Sequence, residues 1–104
     1  MSAEKRRIRE NFKHAVFTRD KFCCRKCGED EKVLDAHHIT DRNEIPNGGY
    51  VVENGISLCG KCHYHAENYH VSKGMAWTEG YHPNDLYALI GSSKEIALKK
   101  AKWV

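Results

Sequence analysis

The sequence predicts a small α+β protein that depends on a bound metal ion for part of its stability. Its 104 residues suffice for one domain with a modest core. Apolar residues recur at helical spacing near both ends, and two short apolar runs between them have the turn borders of strands. Four of the five cysteines form two CxxC pairs, at residues 24–27 and 59–62. We therefore expect helices around a small sheet and a four-cysteine metal site.

An amphipathic helix is predicted over residues 4–18, because its apolar residues alternate with lysines and arginines at helical spacing. The segment TRDKFCCRKCGED then predicts a turn around the first CxxC pair. The runs KVLDAHH (32–38) and YVVENGISL (50–58) predict two extended segments that pair with each other, the second broken at Asn54 and Gly55. A loop rich in proline and glycine separates them.

Three further helices are predicted towards the C-terminus. The first covers about residues 61–70, and the run HPNDLYALIG predicts a short helix that starts near Asn84 or Asp85. Ser92 and Glu95 have the spacing of a capping box at the start of the last helix. The expected organisation is a single domain, residues 1–104, with a basic helix at 1–18, a metal-bound core at 19–70 and a helical extension at 71–104.

Charge is unevenly distributed along the chain. The net charge is only +3, but residues 4–21 carry seven lysines or arginines against three acids, and the C-terminal segment is also basic. Basic ends fit a polyanionic partner, and equally a solvated basic surface. No apolar run reaches membrane-spanning length or follows the first residues as in a signal peptide, so we expect a cytoplasmic protein without membrane segments.

The two CxxC pairs predict a structural zinc site. Four thiolates can close one tetrahedral zinc ion and leave no open position for chemistry, and the predicted ligands are Cys24, Cys27, Cys59 and Cys62. Cys23 offers another register for the first pair, but only Cys24 reproduces the spacing of the second. Gly28 and Gly60 fit tight turns in which a side chain would crowd the sulfurs. A redox motif or a disulfide pair is the alternative.

A group of motifs around the cysteine pairs points to a family. In chain order they are RD at 19–20, CRKCG from 24, AHHI from 36, GG at 48–49, EN at 53–54 and LCGKCH at 58–63. Over about residues 17–67 this order and spacing resemble the zinc-knuckle subgroup of the HNH endonucleases. The resemblance implies the ββα-metal fold, also called the His-Me finger, and cleavage of DNA.

The resemblance also implies roles for particular residues. His38 stands where the family has its general base, His37 where it has a metal ligand, and His63 where the following helix supplies another ligand. Asn54 matches the asparagine that ties the loop between the strands and so orients the base. The strand is expected to end at the histidine pair, which would free the two rings from alternation across the sheet. Without the family, satisfied strand-end histidines and a turn asparagine are the ordinary interpretations.

The chemistry of phosphodiester hydrolysis uses these residue types. An imidazole with a pKa near ~6.5 can take a proton from water at neutral pH, and a divalent ion acts as a Lewis acid at the phosphate. Glu67, four residues after His63, is a candidate third ligand on the same helical face, or a solvated carboxylate. His65 points about 200° away. The remaining histidines lack a spacing relation and are predicted to be surface residues or hydrogen-bond donors: His14, His70 and His82.

DNA is the expected partner. The candidates for contacts to its backbone are Lys61, Arg42, Arg6 and Arg7. No base-reading module is visible, so we expect nicking or cutting with weak sequence preference. The catalytic ion could be Mg²⁺, Mn²⁺, Ni²⁺ or Zn²⁺. Small family members resemble phage proteins that assist a packaging terminase, which makes a terminase a candidate partner; the oligomeric state stays open. The alternative function is a zinc-stabilised nucleic-acid-binding module without catalysis.

Overall fold

The computed structural model describes residues 2–28 and 33–103, and in them four helices surround a two-stranded sheet. The elements are α1 (Ala3–Arg19), β1 (Leu34–His38), β2 (Gly55–Cys59), α2 (Gly60–Val71), α3 (Pro83–Leu89) and α4 (Lys94–Ala101). The α+β class predicted from the sequence is therefore confirmed. Lys32, at the start of the first predicted extended segment, and Glu29 and Asp30, at the end of the predicted turn, lie outside the described residues.

The sheet is a short antiparallel pair. Leu34 lies opposite Cys59, and His38 lies opposite Gly55. The two extended segments thus pair as predicted, but the second strand begins only at Gly55. Residues 52–54 form a 3-10 turn instead, closed by a hydrogen bond of 2.9 Å from the Asn54 amide to the Val51 carbonyl. The prediction of extended structure before Asn54 is wrong, because this turn brings the asparagine side chain into the core.

Helix α1 packs against the sheet through Phe12 and Val16, both buried. The close approach requires a residue without a side chain at the start of β2. A Cβ atom on Gly55 would lie 2.5 Å from Val16 Cγ2 and 2.7 Å from Phe12 Cζ. Any larger residue at this position would push α1 away from the sheet and from the strand that carries the histidine pair.

The RD motif fastens the end of α1 to β2. The Arg19 guanidinium donates hydrogen bonds of 2.7 Å to the carbonyls of Val52 and Gly55. The buried Asp20 carboxylate accepts from that guanidinium and from the Ser57 amide, the latter at 2.9 Å. Because each charge is satisfied by the other and by the main chain, the motif acts as a structural clamp.

The C-terminal helices share the core of the sheet. The buried cluster combines residues of the sheet and loop with residues of α3 and α4, among them Ile39, Ile45, Ile56, Leu58, Leu86, Tyr87, Ala97 and Ala101. None of the helices in the described part of the chain is long and apolar enough to cross a membrane.

The caps of the two C-terminal helices lie directly before their first residues. Helix α3 is capped by His82, whose Nδ1 accepts from the Asn84 amide at 3.0 Å, since Pro83 occupies the first helical position. Helix α4 is capped by Ser93, whose hydroxyl accepts from the Ile96 amide at 3.1 Å. The capping box predicted at Ser92 is therefore wrong by one residue, because the Ser92 hydroxyl donates to the Glu53 carbonyl instead.

Candidate metal and catalytic site

Four cysteines converge beside the sheet. The Sγ atoms of Cys24, Cys27, Cys59 and Cys62 all lie within 4.8 Å of one another, and those of Cys27 and Cys59 are 3.7 Å apart. A tetrahedral zinc ion with Zn–S bonds of about 2.3 Å needs sulfur atoms roughly 3.8 Å apart. The four thiols therefore fit a zinc ion. Cys23 lies outside the group, and its thiol donates to the Lys21 carbonyl.

Local structure explains how the two pairs meet. The turn at Cys24 is attached to β2 by a hydrogen bond of 2.9 Å from the Arg25 amide to the Ser57 carbonyl. Cys59 ends β2, and Cys62 lies in the first turn of α2. The crowding expected at Gly28 and Gly60 is absent, because an added Cβ would meet nothing within 4 Å at either residue. Gly28 is explained by its φ of +78°; nothing in the structure explains Gly60.

Backbone hydrogen bonds favour the ionised form of one thiol in this cluster. Burial raises the pKa of Cys24, but backbone hydrogen bonds from Cys27, Cys59 and Lys26 outweigh burial and lower that pKa to about 7. Burial raises the pKa of Cys62 to about 12, although the Tyr81 hydroxyl donates to its sulfur at 3.4 Å. A bound zinc ion would supply the positive charge that keeps such buried thiols ionised.

A second cluster lies in a cleft where β1, the following loop and α2 meet. The cleft holds about 290 Å³ and is lined by Ala36, His37, His38, Asp41, Arg42, His63, Glu67 and His70. The structure thus brings together the predicted base, the three predicted ligands and one predicted phosphate contact. Two polar lining residues, Asp41 and His70, were not predicted to belong to a site.

Glu67 lies at the centre of this second cluster. Its Oε1 atom is 3.2 Å from His37 Nδ1 and 3.3 Å from His63 Nε2. His63 Nδ1 is 3.0 Å from the Asp35 carboxylate, which can only accept, so in the neutral ring Nε2 carries a lone pair. That lone pair faces the carboxylate oxygen of Glu67. Two acceptors facing each other are stabilised by a cation between them.

His70 completes the cluster. Its Nε2 donates to the His38 carbonyl at 2.9 Å, so Nδ1 of the neutral ring carries a lone pair; that atom is buried without a hydrogen-bond partner among the described residues. Ligand atoms of His37, Glu67 and His70 lie within 4.8 Å of one another. His70 thus makes a hydrogen bond, as predicted, and its other ring nitrogen also belongs to the cluster. The donor set fits a divalent ion.

Two residues of this cluster could have been found from the sequence. His70 follows His63 by seven residues and Glu67 by three, which is the spacing of one helical face. Asp35 precedes His37 by two residues and therefore shares its face of a strand. The helical and strand periods thus place both residues on the faces that carry the predicted ligands.

His38 departs from its predicted placement. Strand β1 ends at His38, as expected, but both histidines still belong to it, so their rings alternate across the sheet and the expected freedom from alternation is wrong. His37 faces α2, whereas the His38 ring stacks on Phe12 at 4.7 Å and meets the Tyr50 ring edge-on at 4.8 Å. Both histidines still line the same cleft, because it opens at the last residues of the strand.

The protonation states at neutral pH suit metal binding and base catalysis. Burial, followed by the charges of His37 and Arg42, lowers the pKa of His38 to about 4, below the ~6.5 expected for a free imidazole. Burial also lowers the pKa of His37, and a hydrogen bond to His37 outweighs burial at Glu67, whose pKa falls to about 2. The two histidines are therefore neutral at pH 7 and Glu67 is an anion.

Asn54 ties the loop that follows β1. Its buried side-chain carbonyl accepts from the Thr40 amide at 2.9 Å and from the Tyr87 hydroxyl at 2.7 Å. Its amide group donates to the carbonyls of Thr40, at 3.1 Å, and Gly49, at 3.2 Å. A Cβ atom on Gly49 would lie 2.6 Å from the Asn54 side-chain nitrogen, so these hydrogen bonds require glycine at residue 49. The contribution of Tyr87, from α3, was not predicted.

The predicted DNA contacts lie in different places. Arg42 is exposed and borders the cleft that holds the second cluster. Lys61 is exposed at the start of α2, and Arg6 and Arg7 are exposed on α1.

A two-stranded antiparallel sheet followed by a helix, with histidines from strand and helix in one cleft, defines the ββα-metal class of proteins. Residues 24–68, which contain all four clustered cysteines, match the family model of the HNH endonuclease. This segment is therefore similar to the HNH endonucleases, and its cysteine cluster is consistent with the zinc-knuckle subgroup. Comparisons with curated proteins and with solved structures give no match.

Proposed function

We propose that this protein is a metal-dependent endonuclease that hydrolyses phosphodiester bonds in DNA. The observation that carries the proposal is the group of His37, Glu67 and His70, whose ligand atoms lie within 4.8 Å of one another, with His63 beside Glu67 in the same cleft. A module that only binds DNA has no need for the His63 lone pair that faces the Glu67 carboxylate, or for the His70 Nδ1 lone pair that is buried without a hydrogen-bond partner among the described residues, because both arrangements cost free energy without a cation.

In this proposal the ion is held by His37, His63 and Glu67, and His70 adds a further nitrogen. Once bound, the ion would supply positive charge at the scissile phosphate and at the leaving 3′ oxygen. His38 takes the proton of the attacking water, for which its neutral form at pH 7 is required. Asn54 holds the loop directly after His38 and is a positioning residue.

The two metal sites are assigned different ions. Four thiolates select zinc, whereas the mixed nitrogen and oxygen set accepts several divalent ions, including Mg²⁺, Mn²⁺, Ni²⁺ and Zn²⁺. DNA would lie with its backbone against Arg42 and the start of α2 at Lys61, and with Arg6 and Arg7 as outer contacts. These contacts give affinity without sequence information. A terminase partner and the oligomeric state remain predictions.

Conversion of supercoiled plasmid to nicked or linear DNA tests the proposal. Wild type and His38→Ala are compared with EDTA and with Mg²⁺, Mn²⁺ or Ni²⁺. We expect cleavage by wild type that EDTA abolishes and a loss of about 10²–10⁴-fold in His38→Ala, the range for a general base. His14→Ala removes an exposed histidine from α1 and should cleave as wild type does.

Two controls make the result decisive. Circular dichroism and zinc content show whether His38→Ala keeps its fold, and His38→Gln retains more of the ring's packing volume against Phe12. If wild type cleaves under none of these conditions yet shifts DNA in a gel, the zinc-stabilised binding module replaces the nuclease.

A further inference from the structure

A second, basic cleft adjoins the catalytic one. It holds about 300 Å³ between α1 and the loop before β2, and it is lined by Lys5, Ile8, Arg9, Asn47 and Tyr50. Tyr50 connects the two clefts, since its ring touches the His38 ring at a centroid distance of 4.8 Å. Arg42, which borders the catalytic cleft, lies with its Nη1 atom 3.5 Å from the Tyr50 hydroxyl.

Two arginines converge on this single hydroxyl. Burial raises the pKa of Tyr50, but hydrogen bonds from Arg42 and Arg9 outweigh burial and lower that pKa. A guanidinium has five N–H donors and no acceptor, so one phenol oxygen leaves most of them unused. None of the ion pairs found in residues 2–28 and 33–103 includes Lys5, Arg9 or Arg42. None of the five residues that line this cleft is acidic, so Lys5 and Arg9 give it a net positive charge.

This cleft differs from an ordinary solvated basic face. Arg9 is half-buried on the side of α1 that carries the buried Phe12, three residues along. Arg7 is exposed and lies about 200° around the helix from Arg9. The sequence alone favoured Arg6 and Arg7 as DNA contacts, but the basic residues of α1 that line this cleft are Lys5 and Arg9.

We propose that Arg9, Arg42 and Tyr50 form a subsite for a DNA phosphate next to the scissile one on the same strand. Lys5 lies at the outer edge of this subsite. The inference rests on the proposed function, because the catalytic cleft defines which bond is cut. Guanidinium groups bind phosphate oxygens through paired N–H donors, and the tyrosine hydroxyl can donate a further hydrogen bond. Ring contact between Tyr50 and His38 limits the subsite to one or two nucleotides from the cut.

The first test removes one phosphate charge at a time. Duplex oligonucleotides that each carry a single neutral methylphosphonate are cleaved, and every cut is mapped relative to the substitution, which needs no fixed cleavage sequence. In wild type we expect cleavage to fall about tenfold when the methylphosphonate lies at one fixed offset from the cut. Arg9→Ala should lose this position dependence, because its contact is already gone, and Arg7→Ala should keep it. An unchanged dependence in Arg9→Ala would overturn the subsite.

The second test does not require cleavage. DNA binding is measured in EDTA over a range of salt concentrations, where each lost phosphate contact reduces the slope of log K against log salt by about 0.9. Arg9→Ala should lower the slope by roughly this amount, and by more than Arg7→Ala does. Arg9→Gln repeats the measurement with a side chain that is longer than that of alanine. An unchanged slope for both Arg9 variants argues against the subsite, even if no protein cuts DNA and the proposed function fails.

A free phosphate ion is the other source of the same chemistry. Titration of the protein with inorganic phosphate alone, measured by calorimetry, distinguishes a site for free phosphate from a subsite for a DNA phosphate. Weak binding of phosphate together with Arg9-dependent binding of DNA supports the subsite on the DNA strand. Equally tight, Arg9-dependent binding of inorganic phosphate would instead make this a site for a free anion and overturn the proposal.

Discussion

The two clusters of candidate metal ligands differ in how their side chains are arranged along the chain. The four cysteines come as two CxxC pairs, one before β1 and one at the junction of β2 and α2. Each pair is set by a local turn, so its spacing can be read in the sequence. The donors of the cleft come from single positions on a strand and from three turns of a helix. Only the packing of α2 on β1 brings them together.

The two clusters also differ in their exposure. Three of the four cysteines are buried, with Cys24 only 2% exposed. In the cleft the side chains of Asp35 and Glu67 are 47% and 42% exposed. A closed set of four thiolates suits an ion that holds the fold, whereas an open set leaves positions for substrate and water. Loss of the two ions should therefore have different consequences.

The largest expected effect is the loss of zinc from the cysteine cluster. A strong chelator, or Cys59→Ser, should abolish the cooperative thermal unfolding transition. Structural zinc contributes about 10–16 kcal/mol in zinc-finger peptides, which matches or exceeds the ~5–15 kcal/mol that stabilises a whole domain. Circular dichroism melts with zinc measured by mass spectrometry check this. Removal of the cleft ion with dilute EDTA should leave the melt unchanged.

Cys23→Ser is the matched control for that experiment. It removes a thiol one residue from Cys24 that does not belong to the cluster. We expect full zinc content and an unchanged melt. A cysteine cluster that could be emptied of zinc without loss of the unfolding transition would contradict a structural role for this ion.

His70→Ala should produce an intermediate effect, confined to the cleft. The variant loses a buried lone pair next to Glu67 and the hydrogen bond to the His38 carbonyl. We expect about 10–100-fold weaker binding of Mn²⁺ or Ni²⁺, the range for residues that support a metal site. Calorimetry on protein loaded with structural zinc measures this.

His65→Ala serves as the control for His70→Ala, because His65 lies on the same helix but contacts Tyr64 and Tyr81. It should bind the ion as wild type does. Equal dissociation constants for His70→Ala and wild type would leave His70 as no more than a hydrogen-bond donor.

The contrast between the clusters explains what the sequence could predict. The CxxC pairs, the histidine pair and the antiparallel pairing of the strands depend on neighbours along the chain, and each was predicted. The strand end at the histidine pair was predicted, but the alternation of His37 and His38 across the sheet was not, because it depends on packing between distant segments, such as that of the His38 ring on Phe12. Contacts between distant segments, such as that of Tyr87 with Asn54, leave no local pattern.

The smallest expected effect tests whether the helical extension supports the site. Tyr87 lies in α3, outside residues 24–68, and is 2% exposed. Its hydroxyl donates to Asn54 at 2.7 Å and lies 2.6 Å from the Thr40 hydroxyl, so α3 takes part in holding the loop after His38. Tyr87→Phe keeps the ring and removes these contacts. We expect about 1 kcal/mol less free energy of unfolding in urea, since the Thr40 amide still satisfies the Asn54 oxygen.

Cleavage by Tyr87→Phe then separates support of the fold from support of the site. If the hydroxyl helps to position the loop, the cleavage rate should fall severalfold at a temperature where the variant is fully folded. Tyr64→Phe removes a hydroxyl from a residue that is 71% exposed and should change neither quantity. A Tyr87→Phe variant that loses stability but cleaves at the wild-type rate would restrict the extension to packing. In that case the cleft would depend on the HNH segment and α1 alone.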